Sequence, residues 1–255
     1  MPSAVRTHVP HRPARLAFDR GTPRVAGGVV LVHRLVKALY DSGWHHPFAA
    51  YLGLVVLAVL LARAPRGAFL FRWAAFFGLV LAADATITGA WSPLPSSSPL
   101  FTPLSIAFVI LGDARFFYLQ ERFARPAASR LRVTIVAALT SLVVPVSSTL
   151  LRHALPLDSD GRWLFLTYEL LALGWVLGTW RVRYGRDHDP ETRRWLVRVT
   201  AIFATLYALW ATADVLILLD VELGYLLRIV PNVLYYAVFL VATVALAPRA
   251  HGGVR

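Results

Sequence analysis

Seven long apolar stretches, separated by short polar segments, run through the chain from residue 47 to residue 246. They lie at Pro47–Ala62, Ala68–Trp91, Leu100–Leu119, Val133–Leu151, Arg162–Trp180, Trp195–Leu219 and Gly224–Leu246. Their lengths lie close to the roughly 20 residues that a helix needs to cross a bilayer, and they do not alternate as barrel strands do. Because backbone groups cannot go unpaired in lipid, the pattern predicts an all-α fold, a polytopic seven-helix transmembrane bundle.

The segment before the first crossing is amphipathic. On a helical wheel, residues 25–43 gather their polar side chains on one face, His33, Arg34, Lys37 and Asp41. We interpret this segment as an interfacial helix that follows a disordered basic tail at residues 1–24. The transmembrane domain then occupies residues 44–248, and residues 249–255 form a short tail. An eighth, weakly apolar crossing at this segment stays an alternative.

Composition restricts the chemistry that this membrane protein can perform. The chain is 57% hydrophobic and contains no cysteine, which excludes disulfides, thiolate nucleophiles and cysteine-ligated metals. The arginines behind its net charge of +12 flank the crossings, so membrane lipids are the expected partners and nucleic acid is not. Only Lys37 among the 26 basic residues is a lysine, a bias typical of a GC-rich bacterial genome. The residues indicate no cofactor and no metal.

Arginine placement predicts the orientation. The joints after the first, third and fifth crossings and the C-terminal tail are rich in arginine, whereas the opposite joints hold only Arg152 and Arg162. The positive-inside rule therefore places the C-terminus in the cytoplasm of a bacterial inner membrane. A basic N-terminus outside the cell conflicts with this rule, which is why an eighth crossing stays open.

Four crossings each carry one ionisable residue at a similar predicted depth. Asp84 lies seven residues before Trp91 and Glu169 seven after Arg162, while Asp214 lies six before Asp220 and Arg228 six after Glu222, residues taken as the outer ends. At ~1.5 Å per residue, each is about 10 Å below the outer boundary. Because charges in hydrocarbon are costly, the shared level predicts a polar site in the outer half of the bundle. Three carboxylates against one guanidinium favour a protonated acid there.

Polar and aromatic residues surround the predicted site. The candidate catalytic acids are Asp84, Asp214 and Glu169. The candidate substrate-binding residues lie beside them in sequence and are Arg228, Asn232, Tyr168, Trp210, Tyr235 and Tyr236. Aromatic faces stabilise a cation, and Pro231 frees a backbone carbonyl next to Arg228. Buried acids and arginines also hold helices together without any ligand, and this structural interpretation stays open.

Other polar residues have simpler interpretations. Asp113 with Arg72 is expected to form an ion pair near the inner interface, and Arg115 to extend toward lipid phosphates. The adjacent His45 and His46 are expected to anchor the first crossing at the interface, because neighbouring histidines on a helix diverge by about 100° and chelate poorly.

One short stretch resembles a known family. In Ala83–Pro93 an acid late in the second crossing precedes a proline-bearing loop. With seven helices and a similar length, this resembles the integral-membrane terpene cyclases of meroterpenoid pathways. The resemblance implies a metal-free enzyme in which Asp84 protonates an olefin or epoxide of an isoprenoid.

Three functions stay open at this stage. The first is a metal-free general-acid enzyme that acts on a hydrophobic, isoprenoid or lipid-like small molecule. The second is a proton- or cation-coupled transporter, and the third is a non-catalytic sensor or assembly subunit. An apolar pocket closed at its inner end favours the enzyme, and a polar path from Asp84 to Asp113 favours transport. The sequence does not determine the oligomeric state.

Overall fold

A computed structural model of the protein describes residues 35–154, 161–186 and 188–253. In these ranges, seven helices are long and apolar enough to cross a membrane. They are α1 (His45–Arg63), α2 (Phe69–Thr88), α3 (Phe101–Ala124), α4 (Arg130–Ala154), α5 (Gly161–Tyr184), α6 (Pro190–Leu218) and α7 (Leu223–Ala245). The predicted all-α, seven-helix fold is confirmed, and each predicted crossing overlaps one helix.

The described end of the predicted amphipathic segment, residues 35–41, is helical. Tyr40 packs against Tyr225 at the start of α7, with ring centroids 5.3 Å apart, and the Lys37 ammonium lies over the same ring. The remainder of that segment and the predicted tail at residues 1–24 fall outside the described residues.

The helices form a closed ring. Consecutive helices pack side by side, and α7 packs against α1. Short connections make sequential helices antiparallel. We call the end at which α1, α3, α5 and α7 begin the outer end, and the opposite end the inner end. Leu79 and Leu131 are 73% and 70% exposed on the outside of the ring, as suits a bundle surrounded by lipid. Inside the ring, Phe116 and Phe203 stack with centroids 4.4 Å apart.

The outer ends of the helices are not level. Gly53 of α1 lies so close to α7 that a Cβ atom added to it would be 2.5 Å from the Ala237 Cα atom. Gly53 is eight residues after the start of α1, whereas Ala237 is fourteen residues after the start of α7. Both helices run inward, so α1 begins about six residues, or ~9 Å, deeper than α7. The end of α2 is equally deep, since Gly89 lies beside Pro47.

A π-helical turn interrupts α7 at Leu234–Val238, directly after Pro231. The Phe239 N–H donates to the carbonyl of Leu234, five residues back rather than four. The carbonyl of Tyr235, which a regular α-helix would give to Phe239, is therefore available to a side chain.

Candidate functional site

Three of the four ionisable residues predicted to lie at one level meet near the outer end. Nη1 of Arg228 on α7 donates to Oδ1 of Asp214 on α6, and lies 3.2 Å from Oε1 of Glu169 on α5. Nη1 of Arg162 donates to the same Asp214 oxygen at 3.1 Å. Both carboxylates are buried. These four residues, which we call the outer cluster, connect α5, α6 and α7.

The outer cluster is balanced in charge. Two carboxylates face two guanidinium groups, Arg162 and Arg228. The expected excess of three acids over one arginine is therefore wrong at this level, because Arg162 joins the group and Asp84 does not. A buried network with equal numbers of opposite charges connects its helices, and losing one partner is strongly destabilising. One oxygen of each acid, Oε2 of Glu169 and Oδ2 of Asp214, has no hydrogen-bond partner among the described residues.

Asp84 lies deeper, in a second group. Its Oδ2 accepts a hydrogen bond from the hydroxyl of Tyr236 at 3.2 Å, and its Oδ1 accepts one from the hydroxyl of Thr88 at 2.7 Å. Asp84 is four residues before the end of α2, and that end lies well below the outer ends of α5 and α7. The predicted common depth is therefore wrong for Asp84, because equal distances from helix ends do not give equal depths in this bundle.

Asp113 lies at the centre of α3 and is buried. The hydroxyls of Tyr168 on α5 and Tyr207 on α6 donate to its two carboxylate oxygens. The predicted ion pair with Arg72 is wrong, since tyrosines occupy both oxygens of Asp113 and Arg72 is exposed. The helix continues five residues beyond its predicted end, to Ala124, which moves Asp113 from the interface into the middle of the bundle.

Arg115 is 2% exposed and lies within electrostatic range of both Asp84 and Asp113. Its Nη2 donates at 3.0 Å to the Tyr235 carbonyl that the π-helical turn leaves available, and its guanidinium lies 3.9 Å from the centroid of the Tyr235 ring. The prediction that Arg115 extends to lipid phosphates is wrong. We call the following residues the central cluster: Asp84, Asp113, Arg115, Tyr168, Tyr207, Tyr235 and Tyr236.

A small cavity lies beside Asp84 and Arg115. Its volume is about 10 Å³, enough for one water molecule, and its wall includes the rings of Phe77, Phe108 and Tyr235. The Nε atom of Arg115 is buried and has no hydrogen-bond partner among the residues that the structure describes. A guanidinium donor and a carboxylate acceptor at one small space provide two of the polar partners that a bound water needs.

Polar side chains continue from the central cluster toward the inner end. Gln120 is seven residues after Asp113 on α3, and Thr200 is seven residues before Tyr207 on α6. Seven residues are two helical turns, so each lies on the same face, ~10.5 Å further inward. Nε2 of Gln120 donates to the Thr200 hydroxyl at 3.0 Å. Within the described ranges, Oε1 of the fully buried Gln120 has no hydrogen-bond partner.

A buried ion pair closes the inner end. Glu121 is fully buried, and Arg183 donates to it from Nε at 3.0 Å and from Nη2 at 2.9 Å. Arg125 lies 3.7 Å from the same carboxylate. Arg183 belongs to the π-helical turn Trp180–Tyr184 that ends α5. The acid is therefore fully compensated, as in the outer cluster.

The remaining predicted residues divide between these groups. Trp210 donates from Nε1 to Oδ1 of Asn232 at 2.9 Å, and its ring contacts Tyr207 and Tyr235 at centroid distances of 5.5 and 5.4 Å. This pair separates the outer cluster from the central cluster. The other predicted aromatic residues, Tyr168, Tyr235 and Tyr236, belong to the central cluster rather than to the outer acids.

Sequence reasoning missed Asp113, Arg115, Tyr207 and Gln120 as members of the site. A signal for them was present in their spacing. Polar residues recur every seven positions on α6, at Asp214, Tyr207 and Thr200, and on α3 at Asp113 and Gln120. A polar residue every two turns on an otherwise apolar helix marks a face that points into the bundle.

The fold and these residues define a class, an integral multi-pass membrane protein with ionisable side chains buried in its bundle. Within the described ranges, no three histidine, aspartate or glutamate side chains converge to hold a metal ion. Comparison with models of protein families, with curated proteins and with solved structures finds no match. The function must therefore be inferred from the two clusters themselves.

Proposed function

We propose that the protein conducts protons across a bacterial cytoplasmic membrane, with its C-terminus in the cytoplasm, and that Asp84 and Asp113 hold the proton in transit. The observation that carries this proposal is the charge count of the central cluster. Two buried carboxyl groups share a single guanidinium, that of Arg115, whereas the other buried acids in the described chain have arginine partners of their own.

An excess buried carboxylate is costly, and binding one proton removes the cost. A carboxylate in a desolvated site takes up a proton when no cation compensates it. Hydroxyl groups are already bonded to both acids: Thr88 and Tyr236 to Asp84, and Tyr168 and Tyr207 to Asp113. These hydroxyl groups stabilise either acid when it is ionised, and they can rotate away when it is protonated. The proton can therefore reside on Asp84 or on Asp113.

The space and the polar groups around the central cluster suit a proton better than a larger ligand. The cavity beside Asp84 has a volume of about 10 Å³, which accommodates one water molecule and no organic substrate. On the inner side, the Gln120–Thr200 pair continues the polar path two turns below Asp113 and Tyr207. Arg115 lies within electrostatic range of both Asp84 and Asp113, and this proximity of two buried acids favours transport over chemistry in a closed pocket.

The proposal is tested by proton flux into liposomes that contain the purified protein. A potassium gradient with valinomycin sets the membrane potential, and an entrapped pH dye reports the flux. We expect flux from the wild type and a loss of at least about tenfold in Asp84→Asn and in Asp113→Asn, because an amide cannot carry the proton. The matched control is Asp41→Asn, which removes an exposed carboxylate. A wild type no more permeable than empty liposomes would contradict the proposal.

A metal-free general-acid enzyme is the second candidate, since aromatic rings adjoin Asp84. Phe77, Phe108 and Tyr235 line the cavity beside this acid, and such rings stabilise carbocations. This candidate, which the resemblance to membrane terpene cyclases also supports, requires the cavity to widen to admit an isoprenoid. Incubation with an epoxidised isoprenoid and chromatography of the products distinguishes the two functions. Cyclised product of unchanged mass, lost in Asp84→Asn, would favour the enzyme. A sensor or assembly subunit would be inactive in both assays.

A further inference from the structure

His46 lies against the central cluster. Its imidazole contacts the Tyr236 ring with centroids 4.0 Å apart and the two planes tilted by 34°, and the Tyr236 hydroxyl donates to Asp84. Tyr236 is thirteen residues after the start of α7. The contact exists because α1 begins about six residues deeper than α7. Interfacial anchoring by His45 and His46 stays a prediction, to which the structure adds the contact between His46 and Tyr236.

The imidazole is also unsatisfied. The Nε2 atom of His46 is buried and has no hydrogen-bond partner in the part of the chain that the structure describes. A buried ring nitrogen without a partner is costly, so such a group usually binds something or exchanges protons. His46 contacts the ring of Tyr236, and the hydroxyl of Tyr236 donates from α7 to Asp84.

We infer that His46 exchanges the proton with Asp84 through the Tyr236 hydroxyl and connects the central cluster to the outer end. In the outward direction, the Asp84 carboxylic acid gives its proton to the Tyr236 oxygen. The Tyr236 hydroxyl gives its own proton to the imidazole, directly or through one water. One O–H bond breaks at Asp84 and one N–H bond forms at His46, so the net change is the movement of a single proton. This inference rests on the proposed function.

His45 provides a matched comparison on the adjacent residue. Its ring stacks on Tyr40, with centroids 5.6 Å apart, in the helical segment outside the bundle. Adjacent residues on a helix point about 100° apart, which explains why only His46 reaches Tyr236. Anchoring of this helix end at the interface would involve both histidines alike, so a loss of flux specific to His46 would point to its contact with Tyr236.

Chemical rescue in the proton-flux assay tests the inference. We expect His46→Ala to reduce flux by at least about tenfold, and free imidazole in the buffer to restore part of it, since the small base fits the space that the side chain leaves. His45→Ala should conduct within about twofold of wild type, because its ring does not contact the path. Tyr236→Phe keeps the ring that contacts His46 and removes the hydroxyl. It should lose flux as His46→Ala does, with no rescue by imidazole.

The outcomes separate this inference from the proposed function. A wild type that does not conduct overturns both. A wild type that conducts with a His46→Ala variant that conducts equally overturns the role of His46 alone. Loss of flux in His46→Ala that imidazole does not relieve, in a variant that melts at the wild-type temperature, also overturns it, because a packing role predicts that result.

Discussion

The outer and central clusters both draw side chains from α5, α6 and α7, yet their charge counts differ. Asp214 and Tyr207 are two turns apart on α6, and Arg228 and Tyr235 are two turns apart on α7. In the outer cluster two acids meet two arginines through direct contacts. In the central cluster two acids are bonded to hydroxyl groups and share the charge of Arg115.

This difference suggests that buried charges have two roles in this membrane protein, connecting helices and binding a proton. Acids in direct contact with equal numbers of arginines connect helices, and losing one partner leaves an uncompensated buried charge. Acids that outnumber their arginines and are surrounded by hydroxyls can gain or lose a proton without leaving a cation unpaired. We therefore assign a structural role to the outer cluster and proton transfer to the central cluster. The comparison makes opposite predictions for equivalent substitutions in the two groups.

The largest expected effect is on stability, at Arg228. Arg228→Gln leaves Glu169 and Asp214 buried with Arg162 alone, and should lower the free energy of unfolding by about 3 kcal/mol. Adding Asp214→Asn removes the excess negative charge and should recover much of this loss. Thermal unfolding in detergent measures both. Arg66→Gln, which changes an exposed arginine, is the control. Equal melting of Arg228→Gln and Arg66→Gln would remove the structural role of the outer cluster.

A second effect concerns the packing of the central cluster. A Cβ atom at Gly112 would lie 1.4 Å from the Tyr235 hydroxyl oxygen, so Gly112→Ala must displace that ring. Overpacking of this kind should destabilise the protein by about 2 kcal/mol, and Tyr235→Phe should restore part of it. Gly174→Ala is the matched control, since a Cβ atom there meets nothing within 4 Å. Thermal unfolding again measures the effect, and a Gly112→Ala protein as stable as Gly174→Ala would show that Tyr235 does not lie against α3.

The smallest effect on the free energy of unfolding is expected for Asp84→Asn. The amide oxygen can still accept from one of the two hydroxyls of Thr88 and Tyr236, and the amide nitrogen can donate to the other. The change also removes an incompletely compensated charge, so stability should change by less than about 1 kcal/mol in either direction. Asp214→Asn should cost more, because it leaves Arg162 and Arg228 with a single carboxylate. The midpoints of thermal unfolding compare the two variants. A greater loss in Asp84→Asn than in Asp214→Asn would reverse the roles assigned to the clusters.

The sequence predicts the fold because apolar runs of membrane-spanning length permit only helices, and all seven crossings overlap the helices observed. It also brings together Glu169, Asp214 and Arg228, since α5, α6 and α7 have outer ends at similar heights. The prediction fails for Asp84 because depth was counted from each helix end. The sequence does not reveal that α1 begins, and α2 ends, deeper than α7 begins, an offset that depends on the close contact of Gly53 with α7.

Asp113 and Arg115 were not predicted as members of the site for a second reason, because α3 extends beyond its predicted end. The predicted third crossing ends at Leu119, which places Asp113 and Arg115 near the inner interface. In the structure, Glu121 is fully buried against Arg183 and α3 continues past it. Asp113 therefore lies near the middle of α3. Whether a charged residue ends a crossing depends on ion pairs with other helices, which hydropathy alone does not predict.

We expect a bound proton in the central cluster and none in the outer cluster. Infrared spectra of the protein in lipid near neutral pH measure this directly, because the C=O stretch of a protonated carboxyl group differs from that of a carboxylate. We expect a protonated-carboxyl band in the wild type that is lost or shifted in Asp84→Asn and in Asp113→Asn, and unchanged in Glu169→Gln and Asp214→Asn. Absence of the band from the wild type, or its loss only in Glu169→Gln or Asp214→Asn, would contradict the account.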